Sequence, residues 1–179
     1  ALPFNLNPST AIDALETPLP VHRLDNPTSG ILLCAKTRKA LISLQNDFKD
    51  KSIKKTYYAL VKGEISSTLK ISSDIHNKPS LTRVKPEDIF RIGSKKYTLA
   101  EVNPLTGRTH QIRIHLARNG TPIVGDMEYG EEESGILKGK SLFLFASGIS
   151  FQHPVNQEFM EFSIALPKKL RNLKAYRLH

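Results

Sequence analysis

The chain has 179 residues, of which 39% are hydrophobic, and it carries a formal net charge of +9. This length suits one domain, and no run of about 18 apolar residues is present to cross a membrane. The single cysteine, Cys34, excludes an internal disulfide and a cysteine-rich zinc site. A pI near 9.7, with basic residues spread along the chain, favours a folded surface that meets a polyanion, although a merely basic protein has the same composition.

The first predicted elements follow an irregular start. Residues 1–20 hold four prolines and show little periodicity, so we expect an irregular lead-in there and one domain over residues 21–179. The apolar run 31–35 predicts a buried strand. The apolar spacing within residues 38–48 predicts a helix that Thr37 caps.

The middle and end of the chain favour strands. Alternation predicts a strand over residues 53–62 that stops at Gly63, and the polar segment 66–80 predicts at most a short strand near Leu69 and Ile71. Further strands are predicted at residues 97–103, 142–151 and 159–166, and helices at 106–118 and 168–176. Because helices do not alternate regularly with strands, we predict an α+β fold around a mixed sheet.

The sequence lacks the motifs of several common kinds of catalytic site. His110 and His115 are five residues apart, so on a helix they point in different directions, unlike the four-residue spacing of a zinc helix. The sequence shows no phosphate-binding glycine loop, no Gly-x-Ser-x-Gly elbow and no paired carboxylates near Asp25. We therefore expect neither a catalytic metal nor a serine nucleophile.

Asp25 precedes the apolar run 31–35, where a carboxylate loses water and needs a cation. Arg23 and Arg113 are candidate partners, and such a pairing keeps the aspartate ionised. The pair could serve only to fix the fold, or Asp25 could be a nucleophile in a cleft. The residues alone leave both interpretations open.

Three more residues have two interpretations each. Tyr57 is either a core aromatic of its strand or a stacking surface for a nucleobase. Arg108 and Arg118 are either solvated helix charges or phosphate contacts beside a basic cleft.

Four segments resemble, in the same order, the signatures of the RluA-type pseudouridine synthases. They are residues 22–37 (HRLDNPTSGILLCAKT), 54–63 (KKTYYALVKG), 103–130 (NPLTGRTHQIRIHLARNGTPIVGDMEYG) and 145–154 (FASGISFQHP). Together they cover roughly residues 20–166. The resemblance implies that family's catalytic fold, a mixed, mainly antiparallel sheet with a few flanking helices.

The resemblance implies isomerisation of uridine to pseudouridine in ribosomal or transfer RNA. Asp25 would be the nucleophile, at either C1′ of the ribose or the uracil ring. Tyr57 would lie against the uracil and help remove the proton from C5, and Arg113 would pair with Asp25. Arg23 would fill the gap left by the extruded nucleotide. The other RNA contacts that we expect are His22, Thr28, Arg108, His110, Gln111 and Arg118.

This chemistry needs no cofactor and no metal. The resemblance implies RNA as the partner, and we also expect a cytoplasmic monomer that makes no membrane contact. The sequence departs from the family pattern at Asn26–Pro27, where a charged pair is common. An early strand with an Asn-Lys-Pro segment, and the S4-type domain that often precedes it, are not visible in residues 1–20, so we expect both to be absent.

Two alternatives remain beside the enzyme. The missing early strand motivates a non-catalytic RNA-binding protein that retains the fold. A DNA-binding helix-turn-helix over residues 98–119 conflicts with the strand predicted at 97–103.

Overall fold

The computed structural model describes residues 5–130, 137 and 141–177, and a seven-stranded sheet lies at the centre of this part of the chain. The strands are β1 (Ala14–Pro20), β2 (Ser29–Gly30), β3 (Cys34–Thr37), β4 (Lys54–Lys62), β5 (Leu69–Ile75), β6 (Lys78–Ile92), β7 (Lys95–Pro104), β8 (Leu144–Gln152) and β9 (Phe159–Ser163). The helices are α1 (Arg38–Lys49), α2 (Gln111–Arg118) and α3 (Lys168–Arg171), and α3 is followed by a 3₁₀ helix at Asn172–Tyr176.

The sheet is mixed but mainly antiparallel. Its strand order is β2-β8-β4-β7-β6-β5, and β9 also pairs with β8. The β2–β8 pair is parallel, whereas the other pairs in this sheet are antiparallel. A separate two-stranded sheet joins β1 to β3. The predicted α+β class is therefore confirmed.

The hydrophobic core lies along the central strands. Leu60 of β4 and Val102 of β7 are fully buried, and Leu116 of α2 packs into the same cluster. A smaller cluster forms beneath α1, where Leu44 meets residues that include Ile53 and Phe151. The two clusters fix α1 and α2 relative to the sheet, and both helices thereby reach the candidate site described below.

The prediction of an irregular lead-in is wrong for residues 14–20, which form β1. β1 pairs antiparallel with β3, with Leu19 opposite Ala35 and Pro20 opposite Cys34. An edge strand needs hydrogen bonds on one side only, so its prolines are tolerated although they donate none. Residues 1–4 of the predicted lead-in lie outside the described residues.

Element boundaries also differ from the predictions. The strand expected at 31–35 begins only at Cys34, and a separate short strand precedes it at Ser29–Gly30. The helix expected at 106–118 begins at Gln111, because His110 adopts a left-handed conformation with φ of 53°. The five residues before α2 are thereby left as a loop, which contributes to the candidate site.

Other predicted elements are confirmed. The Thr37 hydroxyl accepts a hydrogen bond of 3.2 Å from the backbone N–H of Ala40, which caps α1. β4, β7, β8 and β9 all form near their predicted positions, and α3 with the following 3₁₀ helix replaces the expected helix at 168–176. Among the described residues, no helix is long and apolar enough to span a membrane.

Candidate active site

A cavity of about 280 Å³ opens where residues 21–28, β4 and the loop before α2 meet. Eight of the residues predicted from the sequence line it: His22, Arg23, Asp25, Thr28, Tyr57, Arg108, Gln111 and Arg113. His110 lies beside Asp25, whereas Arg118 lies elsewhere. Three stretches that are far apart in the sequence therefore converge on one cavity.

The loop that carries Asp25 is anchored to the sheet by Gly30. β2 runs parallel to β8 and places Gly30 beside Ala146. A Cβ atom on Gly30 would lie 2.1 Å from the Ala146 carbonyl oxygen, and the φ of Gly30 is +131°. Only glycine combines this conformation with such a close approach. Gly30 therefore fixes the distance of the Asp25 loop from the sheet.

His22 supports the same loop from inside. Its Nε2 accepts a hydrogen bond of 3.0 Å from the backbone N–H of Leu33, and its ring contacts that of Phe48 with centroids 4.8 Å apart. Burial lowers the pKa of His22, which agrees with a neutral ring that accepts at Nε2. This nitrogen is thus occupied within the protein.

Tyr57 enters the cavity from the middle of the sheet. It lies on β4 between Val102 of β7 and Ala146 of β8. Burial, and then the nearby charge of Asp25, raise the pKa of Tyr57 to about 12. Its hydroxyl is therefore protonated at neutral pH and can donate a hydrogen bond inside the cavity.

The expected pairing of Arg113 with Asp25 is not what the structure shows. Arg113 donates to both carboxylate oxygens of Asp126, from Nε at 2.8 Å and from a terminal nitrogen at 2.7 Å. The same terminal nitrogen lies 3.1 Å from Glu128. Because α2 presents Arg113 to the turn that follows residue 123, its guanidinium is committed to that turn.

The ion pair between Arg113 and Asp126 is almost completely buried. The Arg113 side chain is 5% exposed and that of Asp126 is 1% exposed. Burial alone would raise the pKa of Asp126. The hydrogen bonds from Arg113 and from the backbone N–H groups of Tyr129 and Glu128 outweigh it and hold that pKa below its usual value.

His110 connects Asp25 to this cluster. Its Nε2 lies 4.0 Å from Asp25 Oδ1, and its Nδ1 lies 3.0 Å from the Tyr129 hydroxyl and 3.5 Å from Glu128. The Arg113 guanidinium stacks over the Tyr129 ring at 4.9 Å. The basic side chain nearest to the Asp25 carboxylate in the described structure is thus a histidine.

No pattern in the sequence predicts a role for the turn residues Asp126, Glu128 and Tyr129. The one signal for them was their position in the GDMEYG end of the third signature-like segment, which residue chemistry alone does not interpret.

Gln111 was expected to contact RNA, but its amide is used within the protein. Its Oε1 accepts from the Thr106 hydroxyl at 2.7 Å and from the backbone N–H of Arg108 at 3.0 Å. Its Nε2 donates to the Leu81 carbonyl and the Thr82 hydroxyl, each at 3.0 Å. Gln111 is 4% exposed, so it positions the cavity loop against β6.

Replacing Gln111 with leucine is expected to lower the free energy of unfolding by about 1–3 kcal/mol, because the four groups that bond its buried amide each lose a hydrogen bond. Urea denaturation measures the change. The matched control is Gln45→Leu on the exposed face of α1, for which we expect a change within about 0.5 kcal/mol. Equal stability of the two variants would contradict the positioning role.

The two arginines that were open to two interpretations lie in different places. Arg108 lines the cavity and donates to the Pro79 carbonyl at 3.3 Å. Arg118 lies at the far end of α2, where it donates to the Asp74 carbonyl at 2.8 Å. Arg118 is therefore outside the cavity that holds Asp25.

The cavity residues also include a buried hydroxyl. The Thr28 Oγ1 atom is buried and forms no hydrogen bond with the described residues.

Within residues 5–130, 137 and 141–177, no group of three or more His, Cys, Asp or Glu side chains is arranged to hold a metal ion.

Comparison with known proteins identifies the class that this fold and cavity represent. The family model described as RNA pseudouridylate synthase matches residues 3–118, and the chain belongs to this family. One curated relative, the ribosomal large subunit pseudouridine synthase C of Vibrio parahaemolyticus, is 42% identical over 167 residues, covering 86% of this chain and 53% of the relative. The protein of the same name from Yersinia pestis is 40% identical over 175 residues, covering 85% and 53%. The chain thus spans about half the length of these relatives.

Solved structures show the same fold. Human RNA pseudouridylate synthase domain containing 1 is 30% identical, with a TM-score of 0.76 over 90% of this chain and 74% of that one. Human RNA pseudouridylate synthase domain containing 4 has a TM-score of 0.70 over 89% and 77%, and at 19% identity it supports the fold alone.

Proposed function

We propose that this chain isomerises uridine to pseudouridine in RNA, with Asp25 as the nucleophile. The observation that carries the proposal is the meeting of Asp25 and Tyr57 in one cavity. The two residues come from separate signature-like segments, and the fold brings both side chains into its wall. Family membership supports the reaction class, and the site geometry supports the roles of the residues.

The reaction breaks the bond between N1 and C1′ and forms one between C5 and C1′, while the proton on C5 leaves and N1 gains one. Asp25 attacks carbon and holds the covalent intermediate while the detached uracil rotates. Tyr57 packs against the uracil. Because its hydroxyl is protonated at neutral pH, it is not a preformed base, and it relays the C5 proton by releasing its own proton to solvent as it accepts the one from C5. His110 lies 4.0 Å from the carboxylate of Asp25, beside the same reaction centre.

The positive charge of the chain and the cavity loop serve RNA binding. A base must leave its stack to reach Asp25, and Arg23, which is exposed at the cavity wall, occupies the gap that this base leaves. Arg108 and Thr28 lie along the same wall and contact the extruded nucleotide. We propose that the protein acts as a monomer in the cytoplasm.

We propose large-subunit ribosomal RNA as the substrate, and the names of the curated relatives support this choice over transfer RNA. The test is to incubate the protein with transcripts of large-subunit ribosomal RNA and, separately, with transfer RNA. Pseudouridine is then mapped by carbodiimide labelling and primer extension. We expect conversion in the ribosomal transcript, and a folded protein that converts neither RNA would overturn the proposal.

Tyr57→Phe is expected to reduce the single-turnover rate by about 10²–10⁴-fold without weakening RNA binding, because the ring remains and the hydroxyl is lost. Tyr58→Phe on the same strand is the matched control and keeps nearly the full rate. Since the pKa of Tyr57 is about 12, the wild-type rate shows no step from its ionisation between pH 6 and about pH 10. An unchanged rate in Tyr57→Phe would remove the hydroxyl from the mechanism.

A further inference from the structure

A second cleft adjoins the cavity that holds Asp25. It has a volume of about 360 Å³ and extends past the end of β7 towards the loop between α1 and β4. The two spaces share wall residues: Phe48, Lys55, Pro104, Thr106 and Gly107. The two spaces are therefore neighbours on the protein, separated only by these shared residues.

Four cations line this second cleft. Lys51, Lys54 and Arg83 are exposed, and Lys55 is half-buried at the junction with the first cavity. Glu161 is the one acidic side chain among the described residues that line the cleft. Within the described part of the chain, none of the four cations forms an ion pair. Their charges are thus available to a ligand.

Lys55 is the member of this group that links the two spaces. Its Nζ lies 3.5 Å from the Thr106 carbonyl oxygen, and a Cβ atom placed on Gly107 would lie 3.9 Å from it. Burial lowers the pKa of Lys55, so its ammonium group has lost water without gaining a carboxylate. An anion at the junction would supply the missing partner.

The cleft also offers apolar contact. Leu105 is 47% exposed, and Pro104 and Phe48 flank the same space. A nucleic acid strand carries both charged phosphates and flat bases. Cations beside exposed apolar groups are complementary to such a strand.

We propose that this second cleft binds the RNA segment adjacent to the extruded uridine, with Lys51, Lys55 and Arg83 contacting backbone phosphates. The inference rests on the proposed function, because that function makes RNA the ligand. An extruded nucleotide stays bonded to its neighbours, so the strand must leave the first cavity along some path. The second cleft is a path that both adjoins the cavity and is positively charged.

The test compares two charge-matched double variants. Lys51→Gln with Arg83→Gln removes two exposed cations of the cleft. Lys95→Gln with Arg91→Gln removes one lysine and one arginine at the opposite end of the β6–β7 hairpin, roughly 30 Å from Pro104 along β7. These four side chains are exposed and form no ion pair with described residues, so both variants are expected to fold.

Binding of a fluorescein-labelled 12-residue oligouridine is measured between 50 and 300 mM salt. A single-strand contact contributes about −0.7 to the slope of log affinity against log salt. The cleft variant is expected to lose about 1.4 from the magnitude of this slope and roughly 25-fold in affinity at 0.1 M salt. The control variant is expected to bind like wild type, and equal losses in both variants would overturn the proposal.

Conversion of the ribosomal transcript separates this proposal from the function on which it rests. If wild type converts uridine and the cleft variant keeps the wild-type slope and KM, the cleft proposal fails while the function stands. If wild type binds through the cleft but converts nothing, the cleft proposal stands and the function fails. We expect the cleft variant to raise KM for the transcript and to leave the single-turnover rate at saturation unchanged.

Discussion

Asp25→Asn is expected to abolish pseudouridine formation, with a rate reduced on the order of 10⁴-fold or more. The amide has nearly the shape of the carboxylate but cannot form the covalent intermediate. The Asp25 side chain is 25% exposed, and the closest basic group is His110 at 4.0 Å. The substitution therefore removes a reactive group without opening a cavity in the core.

The measurement is a single-turnover assay on ribosomal transcripts, with oligouridine binding and circular dichroism recorded on the same preparation. Asp74→Asn on the exposed edge strand β5 is the matched loss of a carboxylate and keeps the wild-type rate. Asp25→Ala provides a second variant in case the asparagine reverts by deamidation. A rate above about 1% of wild type in both Asp25 variants would contradict a nucleophilic role.

Asp126→Ala is expected to lower the free energy of unfolding by about 3–5 kcal/mol, because it leaves the buried Arg113 without its main partner. Glu128→Ala removes the other carboxylate near Arg113, but its side chain is 52% exposed and water screens the pair, so we expect a much smaller loss of stability. Urea denaturation of the two variants compares a buried with an exposed partner of one arginine. Equal costs would show that burial does not decide the strength of this cluster.

The difference in stability between wild type and Asp126→Ala is expected to depend on pH, because the pKa of Asp126 is lowered in the folded protein. A carboxyl group whose pKa is lower in the folded state stabilises the fold above its unfolded pKa, which is near 3.9. That contribution disappears as the pH falls through the folded value. The stability gap between wild type and Asp126→Ala is therefore expected to be constant from pH 5 to 7 and to shrink below pH 4.

The sequence predicted those parts of the fold that have a clear local pattern. β4 contains a short run of aromatic and aliphatic residues that ends before Gly63, and α1 has both its apolar stripe and its cap at Thr37. The 15-residue strand β6 was missed because it contains Pro79 and Pro86 and many charged residues. It is stabilised by pairing with β5 and β7, and its register shifts between Pro86 and Asp88. Pairing of this kind is not a local property.

The same distinction applies to the candidate site. The resemblance to a family placed Asp25 and Tyr57 in one site, and the structure has both in one cavity wall. It did not reveal that Arg113 pairs with Asp126, thirteen residues away in the sequence. Nor did it show that the amide of Gln111 is saturated by hydrogen bonds within the protein. Both sets of hydrogen bonds, those of Arg113 and those of Gln111, depend on which way α2 faces once it packs. That orientation comes from tertiary contacts.

The pairing of Gly30 with Ala146 has a consequence for how the protein folds. These two residues are more than a hundred positions apart, and closing so long a loop is entropically costly. The β5–β6 and β6–β7 hairpins join strands that are adjacent in the sequence, so they can form early, whereas β2 must wait for β8. We therefore expect the loop that carries Asp25 to be fixed late in folding, so that the cavity is assembled after most of the sheet.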